Sequence, residues 1–228
     1  AHPGAFVRKL DVRSATRLLL GFVYRFNTPT DVAVLLLGAG KLLKERGSFE
    51  PWVAEPLAAG KSLHAALSGF VKALRDVPLA PLVAALGPAR GLHHLLPAPL
   101  GAGAAKRLNM FLRWMVRGPD EVDLGLWRNV PASALVIPLD THIGRISRRL
   151  GLTARRDLSW RTAVEITSNL RLIDAADPVR FDFALCHHGM SGVCSPRARA
   201  EACRGCELRT VCRVGARWPD AARPEGPG

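Results

Sequence analysis

The sequence predicts an all-α protein, on three observations. Apolar residues recur at helical spacing in nearly every segment, alternating strand-like runs are scarce, and short breaks rich in Gly, Pro, Asn and Ser separate the helical runs. The chain has 228 residues, 48% of them hydrophobic, so it is long enough for one or two packed domains and too apolar to remain a disordered tail.

Taken in order, the periodicity predicts helices over 14–26, 30–46, 61–75, 81–86, 104–116, 141–150, 160–172 and 178–188. Asn27, Thr28 and Pro29 separate the first two, and Gly47 and Ser48 close the second. A stretch rich in Pro and Gly from 97 to 103 precedes the fifth helix, Gly118 and Pro119 follow it, and Gly151 ends the sixth. No internal repeat is evident. The Pro-, Gly- and Ala-rich tail over 219–228 is expected to be disordered.

Lys and Arg outnumber Asp and Glu by 32 to 19, for a net charge of +13 and a pI near 10.7. Such a surface favours polyanions, and nucleic acid is the first expectation because each phosphate that Lys or Arg neutralises releases condensed counterions. An anionic membrane surface and simple solubility are the competing explanations. Residues 104–218 hold nineteen Lys or Arg against eleven Asp or Glu, so the polyanion face is expected there. The longest apolar stretches, 18–23 and 32–43, are too short to span a bilayer, and Arg25 and Lys41 limit them. No membrane span is therefore expected, and a membrane is not among the expected partners. The N-terminus has neither the order of a secretory signal nor an initiator Met, which suggests processing or truncation. Five cysteines, four of them within 194–212, do not form a secreted disulfide framework, so a reducing cytoplasmic setting is expected.

That cysteine group is the most specific signal in the chain. Cys194, Cys203, Cys206 and Cys212 are separated by eight, two and five residues, a spacing that lets four thiolates meet one inorganic centre. Local chemistry leaves two occupants open, a 4Fe-4S cluster and a structural Zn. Cys186 lies on an expected helix beside Leu185 and reads as a buried apolar residue.

A second informative stretch runs from Ile137 to Ile146. Asp140 ends an apolar approach and stands where a helix N-cap belongs, so its carboxylate accepts from first-turn amides and the helix dipole favours its ionised form by about 0.3–1 kcal/mol. By itself this reads as a capping aspartate. His142 reads as structural, packing or hydrogen-bonding near that cap. Upstream, Gly101 and Gly103 precede Lys106 at the head of an expected helix, and glycines there permit a left-handed backbone and close approach of a phosphate to free amides. The tryptophans Trp114, Trp127 and Trp160 accompany apolar residues at helical spacing and read as core. Tyr24 to Asn27 form a weaker candidate for a DNA contact, and the pairs His93–His94 and His187–His188 show no metal-ligand pattern.

Together these motifs resemble the helix-hairpin-helix DNA glycosylases, in the endonuclease III and MutY branch that carries four cysteines. The last two cysteine gaps match that branch, while the first is longer by two residues. Leu139 to Ile143 resemble its Val-Asp-Thr-His-Val segment, followed as there by an Arg and by a Leu-Gly-Leu exit at Leu150 to Leu152. The glycine turn resembles its Leu-Pro-Gly-x-Gly hairpin, with two departures. Pro99 and Leu100 stand in reversed order, and Lys106 follows the second glycine by three residues instead of two. Asp140 lies 34 positions beyond Lys106, with 118–129 inserted relative to endonuclease III; the archaeal 8-oxoguanine glycosylase branch also has a long separation.

The resemblance spans about 100–212, roughly half the chain. It implies a two-lobed fold: a helical lobe with the hairpin over 1–138, with N-terminal helices missing, and a helical iron-sulfur lobe over 139–218. It implies a 4Fe-4S cluster on the four cysteines. It makes Asp140 the essential carboxylate, an anion suited to stabilising an oxocarbenium-like sugar. Lys106 is then either the amine that forms a Schiff base at C1′ or a phosphate contact; attack requires loss of a proton, which burial and the neighbouring Arg107 favour. DNA contacts fall on Gly101, Gly103, Arg107, Arg145, Arg197, Arg199 and Arg204. The implied activity is base excision from double-stranded DNA containing a damaged or mismatched base, with or without abasic-site lyase action, by a monomer that is nucleoid-associated if bacterial. Non-catalytic DNA binding, or RNA binding, on the same basic face is the alternative.

Overall fold

The computed structural model describes residues 2–97, 99, 103–197 and 199–217. Among them the protein is all-helical, with twelve α-helices and no strand; one isolated bridge joins Tyr24 and Asn27. The helices are α1 Pro3–Lys9, α2 Val12–Leu19, α3 Pro29–Arg46, α4 Pro51–Ala58, α5 Leu63–Arg75, α6 Leu79–Leu86, α7 Leu92–Leu95, α8 Lys106–Val116, α9 Thr141–Leu150, α10 Trp160–Arg171, α11 Asp182–Met190 and α12 Ala200–Arg204. Among the described residues, no helix is long and apolar enough to cross a membrane.

Local chemistry explains most boundaries. Asp11 and Ser14 form a capping box on α2, and Thr28 and Asp31 form one on α3, where Pro29 occupies the first turn. Ser62, Asp140 and Ser159 cap α5, α9 and α10 with side-chain oxygens. Gly47 and Gly151 close α3 and α9 in the left-handed conformation. Gly38 lets α3 cross α5 closely, since a Cβ there would lie 2.0 Å from the Leu74 carbonyl oxygen.

Several boundaries differ from the sequence expectation. The run expected as one helix over 14–26 stops at Leu19: Gly21 sits in the left-handed region with φ 76°, and Leu20, Val23 and Phe26 find no core and stay 73%, 82% and 73% exposed. An amphipathic pattern without a partner surface does not sustain a helix. The helix expected from 104 starts at Lys106, because Ala105 sits in the left-handed region with φ 47°. The last long helix starts at Asp182, after turns over 178–181.

Two apolar clusters hold the helices. A small one joins Ala15 and Leu19 to Ala33, Val34 and Leu82. The main one runs from Leu42 through Leu112 and Ile137 to Ile143, Ile166 and Leu185, and so crosses the expected lobe boundary at 138/139. Trp127 lies within it, edge-on to Phe111 with ring centroids 5.5 Å apart. The expected tail over 219–228 and Gly101 lie outside the described residues.

Candidate active site and nucleic-acid face

The N-termini of α8 and α9 meet although 34 residues separate their key side chains. Asp140 accepts through Oδ1 from the His142 and Ile143 amides, both at 2.9 Å, and through Oδ2 from Lys106 Nζ at 2.7 Å. Burial alone would push this carboxyl group up. The Lys106 ammonium and the two amides outweigh burial and hold it below the usual carboxylate range. The pair is open on one side, with the Lys106 side chain 39% and that of Asp140 17% exposed. Ala105, which turns the chain into α8 from a conformation L-residues rarely adopt, sets the position of Lys106.

Side chains of α9 brace this geometry against α11 and the cysteine loop. His142 Nδ1 bonds the Gly189 carbonyl at 2.9 Å, and Gly189 lets the helices touch, since a Cβ there would lie 2.9 Å from His142 Cβ. Arg145 donates to the Cys194 and Gly189 carbonyls, both at 2.9 Å. The arginine expected on DNA thus also ties α9 to two other segments.

Beside Lys106 lies a cavity of about 300 Å³. Met110, Trp114, Phe183 and Met190 supply apolar wall, and Arg113 and Asp182 are its buried charged members. Trp114, read from sequence as core, instead lines this cavity and is partly exposed. Arg113 donates to Asp123 Oδ1 at 3.0 Å and to Asp182 Oδ2. Arg117 donates to the other oxygen of Asp123 and to Asp177 Oδ2, the latter at 2.8 Å. This ladder ties α8, the 118–123 loop and the start of α11 together. Burial pushes Asp182 up to about 6 even though Arg113 opposes the shift. Its Oδ1 is buried and has no hydrogen-bond partner among the described residues.

Sequence reasoning did not single out Asp182. The available signal was weak: one acid in the otherwise apolar run from Phe181 to Cys186. Cys186 lines the same cavity, and burial pushes its thiol up, so it remains a neutral wall group.

The four C-terminal cysteines share one neighbourhood. Burial pushes the Cys206 thiol up, and charge on Cys194, Cys212 and Cys203 adds to that rise. Arg149 donates to Cys194 Sγ at 3.0 Å, the Gly215 amide donates to Cys212 Sγ at 3.3 Å, and His188 Nε2 lies 3.3 Å from Cys206 Sγ. Among the described residues no group of three or more His, Cys, Asp or Glu is arranged to hold a metal ion. The four thiols, three of them met by a nitrogen group, are nonetheless of the donor type that a thiolate-bound inorganic group takes. His188 joins this neighbourhood although nothing in its sequence context announced it.

The arginines expected on DNA fall in three places. Arg145, Arg148, Arg149 and Arg213 line an open basin of about 530 Å³ with Thr141 and Pro196, and no acidic residue is among its lining groups. Arg197, Arg199 and Arg204 are exposed on the cysteine loop. Next to Lys106 in the chain, exposed Arg107 donates to the His94 carbonyl at 2.5 Å, and Gly103 is an exposed bend with open space around it.

Among the described residues, these observations define an all-helical protein with a lysine–carboxylate pair whose lysine lines a small cavity. The chain belongs to the family described as protein of unknown function (DUF2400), whose model matches residues 1–191. The match includes Lys106, Asp140 and the cavity residues, and it ends before Cys194. No curated protein and no solved structure matches the chain.

Proposed function

We propose that this protein is a DNA N-glycosylase that excises a damaged or mismatched base, with Asp140 as the essential anion and Lys106 as its partner at the sugar. The observation that carries this reading is the Lys106–Asp140 contact at 2.7 Å, whose lysine also lines a cavity of about 300 Å³. A partly exposed ion pair is worth only about 0–1 kcal/mol of stability, so fold maintenance is a poor explanation for the pair.

In this reading the target nucleotide rotates out of the duplex and its base enters the cavity beside Lys106. The bond between C1′ and the base nitrogen breaks, and its electron pair leaves with the base, which takes up a proton. Positive charge develops on C1′ and the ring oxygen, facing an Asp140 that its amides and Lys106 keep ionised. In the lyase branch the Lys106 ammonium gives that proton to the departing base and its free amine bonds C1′; breaking the bond from C1′ to the ring oxygen then moves a second amine proton to that oxygen and leaves a protonated imine. The arginine basin and the exposed arginines of the cysteine loop grip phosphates on either side. A 4Fe-4S cluster on Cys194, Cys203, Cys206 and Cys212 would supply a rigid brace for that loop, with structural Zn as the alternative.

Duplexes bearing a panel of lesions, treated with hot alkali after incubation, test the reading. Strand cleavage that Asp140→Asn lowers roughly 10²–10³-fold supports it. Binding with no base release on any lesion overturns it in favour of a non-catalytic nucleic-acid-binding protein. Borohydride trapping lost in Lys106→Ala assigns the lyase branch. Iron and sulfide analysis with a visible spectrum decides the inorganic group, and a colourless protein with one Zn rejects the cluster.

A further inference from the structure

The turn between α2 and α3 is an exposed aromatic edge that belongs to neither apolar cluster. Val23, Tyr24 and Phe26 are 82%, 55% and 73% exposed. Its shape is nonetheless held. The Asn27 amide donates to the Tyr24 carbonyl at 3.0 Å, Arg25 sits in the left-handed region with φ 55°, and its guanidinium lies 5.7 Å from the Tyr24 ring centre. Asp31 anchors the turn, accepting through Oδ2 from the Thr28 and Gly91 amides at 2.7 and 2.8 Å. Backbone strain at a non-glycine residue, beside flat side chains kept out of the core, is a cost that packing does not explain.

The turn also joins the Lys106 side of the molecule. The Phe26 ring lies 6.3 Å from that of His94, whose carbonyl accepts from Arg107, the residue after Lys106. Arg90 precedes Gly91, and a Cβ on Gly91 would lie 2.6 Å from the Phe26 carbonyl oxygen. Arg25, Arg90 and Arg107 are exposed, and the segments that meet here, 12–30 and 77–119, contain no Asp or Glu. Asp31, just beyond the first segment, is fully buried. Exposed rings interleaved with exposed arginines fit a ligand that carries flat faces and negative charge together. An acidic helix of another protein would match the charge but offers the rings no flat face.

We propose that Tyr24 and Phe26 form a stacking platform for unpaired bases of single-stranded DNA, with Arg25, Arg90 and Arg107 on the flanking phosphates. The protein therefore prefers DNA with a single-stranded gap over an intact duplex. The platform is indifferent to base identity, because every base has a π-face. Only the choice of DNA over RNA rests on the glycosylase reading.

The test uses the whole protein and two labelled probes, an intact DNA duplex and the same duplex with a short thymidine gap, compared by fluorescence anisotropy. The gapped probe is expected to bind roughly 10-fold more tightly. Phe26→Ala should remove that preference while changing intact-duplex affinity less than about 2-fold, and Phe26→Trp, which keeps a flat ring, should retain it. Both rings are exposed, so these variants leave the core intact. 5-Iodouracil placed in the gap and irradiated should crosslink at Phe26 or at Tyr24, the one tyrosine of the chain. Equal binding of the two probes, no effect of Phe26→Ala, or crosslinks confined to other residues overturns the proposal. A dimer that Phe26→Glu dissolves also overturns it, since the edge then belongs to a second copy. So does capture by phosphatidylglycerol vesicles that gapped DNA does not compete off. Base release is scored separately on lesion duplexes. Gap preference without release on any lesion sinks the glycosylase reading and leaves the platform, whereas release without gap preference sinks the platform alone.

Discussion

Helix α8 carries two ionic assemblies that use the same chemistry for different ends. At its first turn Lys106 meets Asp140 in a pair open to solvent, while two and three turns on Arg113 and Arg117 meet three carboxylates, two of them buried. The open pair can part and re-form at little cost, as a site that must admit a sugar requires. The buried ladder cannot, because removing one partner strands a charge where water does not reach. Exposure rather than residue type thus separates a group free to meet a ligand from one that holds the frame.

The largest effect expected from this contrast falls on the ladder. Arg113→Met, which leaves Asp123 and Asp182 facing each other without their shared cation, should cost about 3–5 kcal/mol in urea unfolding. A loss below about 1 kcal/mol would erase the distinction between the two assemblies.

Next in size is a pH dependence. Asp182 is raised from 3.8 to about 6, so the folded state holds its proton more tightly than the unfolded chain. Its contribution to stability is fully present below about 3.8 and is lost as pH rises through 6, a change on the order of 3 kcal/mol. Asp140, which is lowered, works in the opposite sense, and its contribution is lost as pH falls. The stability difference between the protein and Asp182→Asn should therefore shift by roughly that 3 kcal/mol between pH 4 and 7. A constant difference would place Asp182 in a wetter setting than its contacts indicate.

The smallest stability effects belong to the open pair, where function should change most. Asn caps helices about as well as Asp, so Asp140→Asn is expected to alter unfolding by less than about 1 kcal/mol while base release collapses. Lys106→Ala should likewise stay within about 1 kcal/mol. Either variant unfolding the protein would move the pair into the structural class. Duplex affinity gives a finer measure. Replacing Arg148 and Arg213 together should weaken binding across all sequences and lower the salt slope by roughly 2, whereas Arg113 should not contribute to that slope.

What could be read in advance follows from the range of the interactions. The helix over 30–46 and the one over 141–150 were legible because their ends depend on residues three or four apart: Thr28 with Asp31, and Asp140 with the two amides beyond it. The short helices α1 and α4 were not legible, since their seven and eight residues carry too little periodicity to stand above the background. The break after Leu19 was invisible for another reason. Leu20, Val23 and Phe26 continue an apolar pattern that masks the stop at Gly21, which sits left-handed at φ 76° just past the end of the helix.

The candidate site divides along the same line. Asp140 announced itself through its cap and the cysteines through their spacing, because both signals are written in neighbouring residues. Asp182 and His188 did not, since each acquires its setting from segments distant in the chain: Arg113 is 69 residues from Asp182, and Cys206 is 18 residues from His188.

By itself, then, the order of residues determined that this chain would be helical and basic, where capped helices such as α3 and α9 begin, and which carboxylate and thiols carry chemical promise. Tertiary packing alone decided that Lys106 reaches Asp140, that a cavity opens beside them, and that one carboxyl group within it goes unmatched. The reason is physical: caps and chelate spacings are short-range and survive in an isolated peptide, whereas burial and charge balance exist only once distant helices exclude water between them.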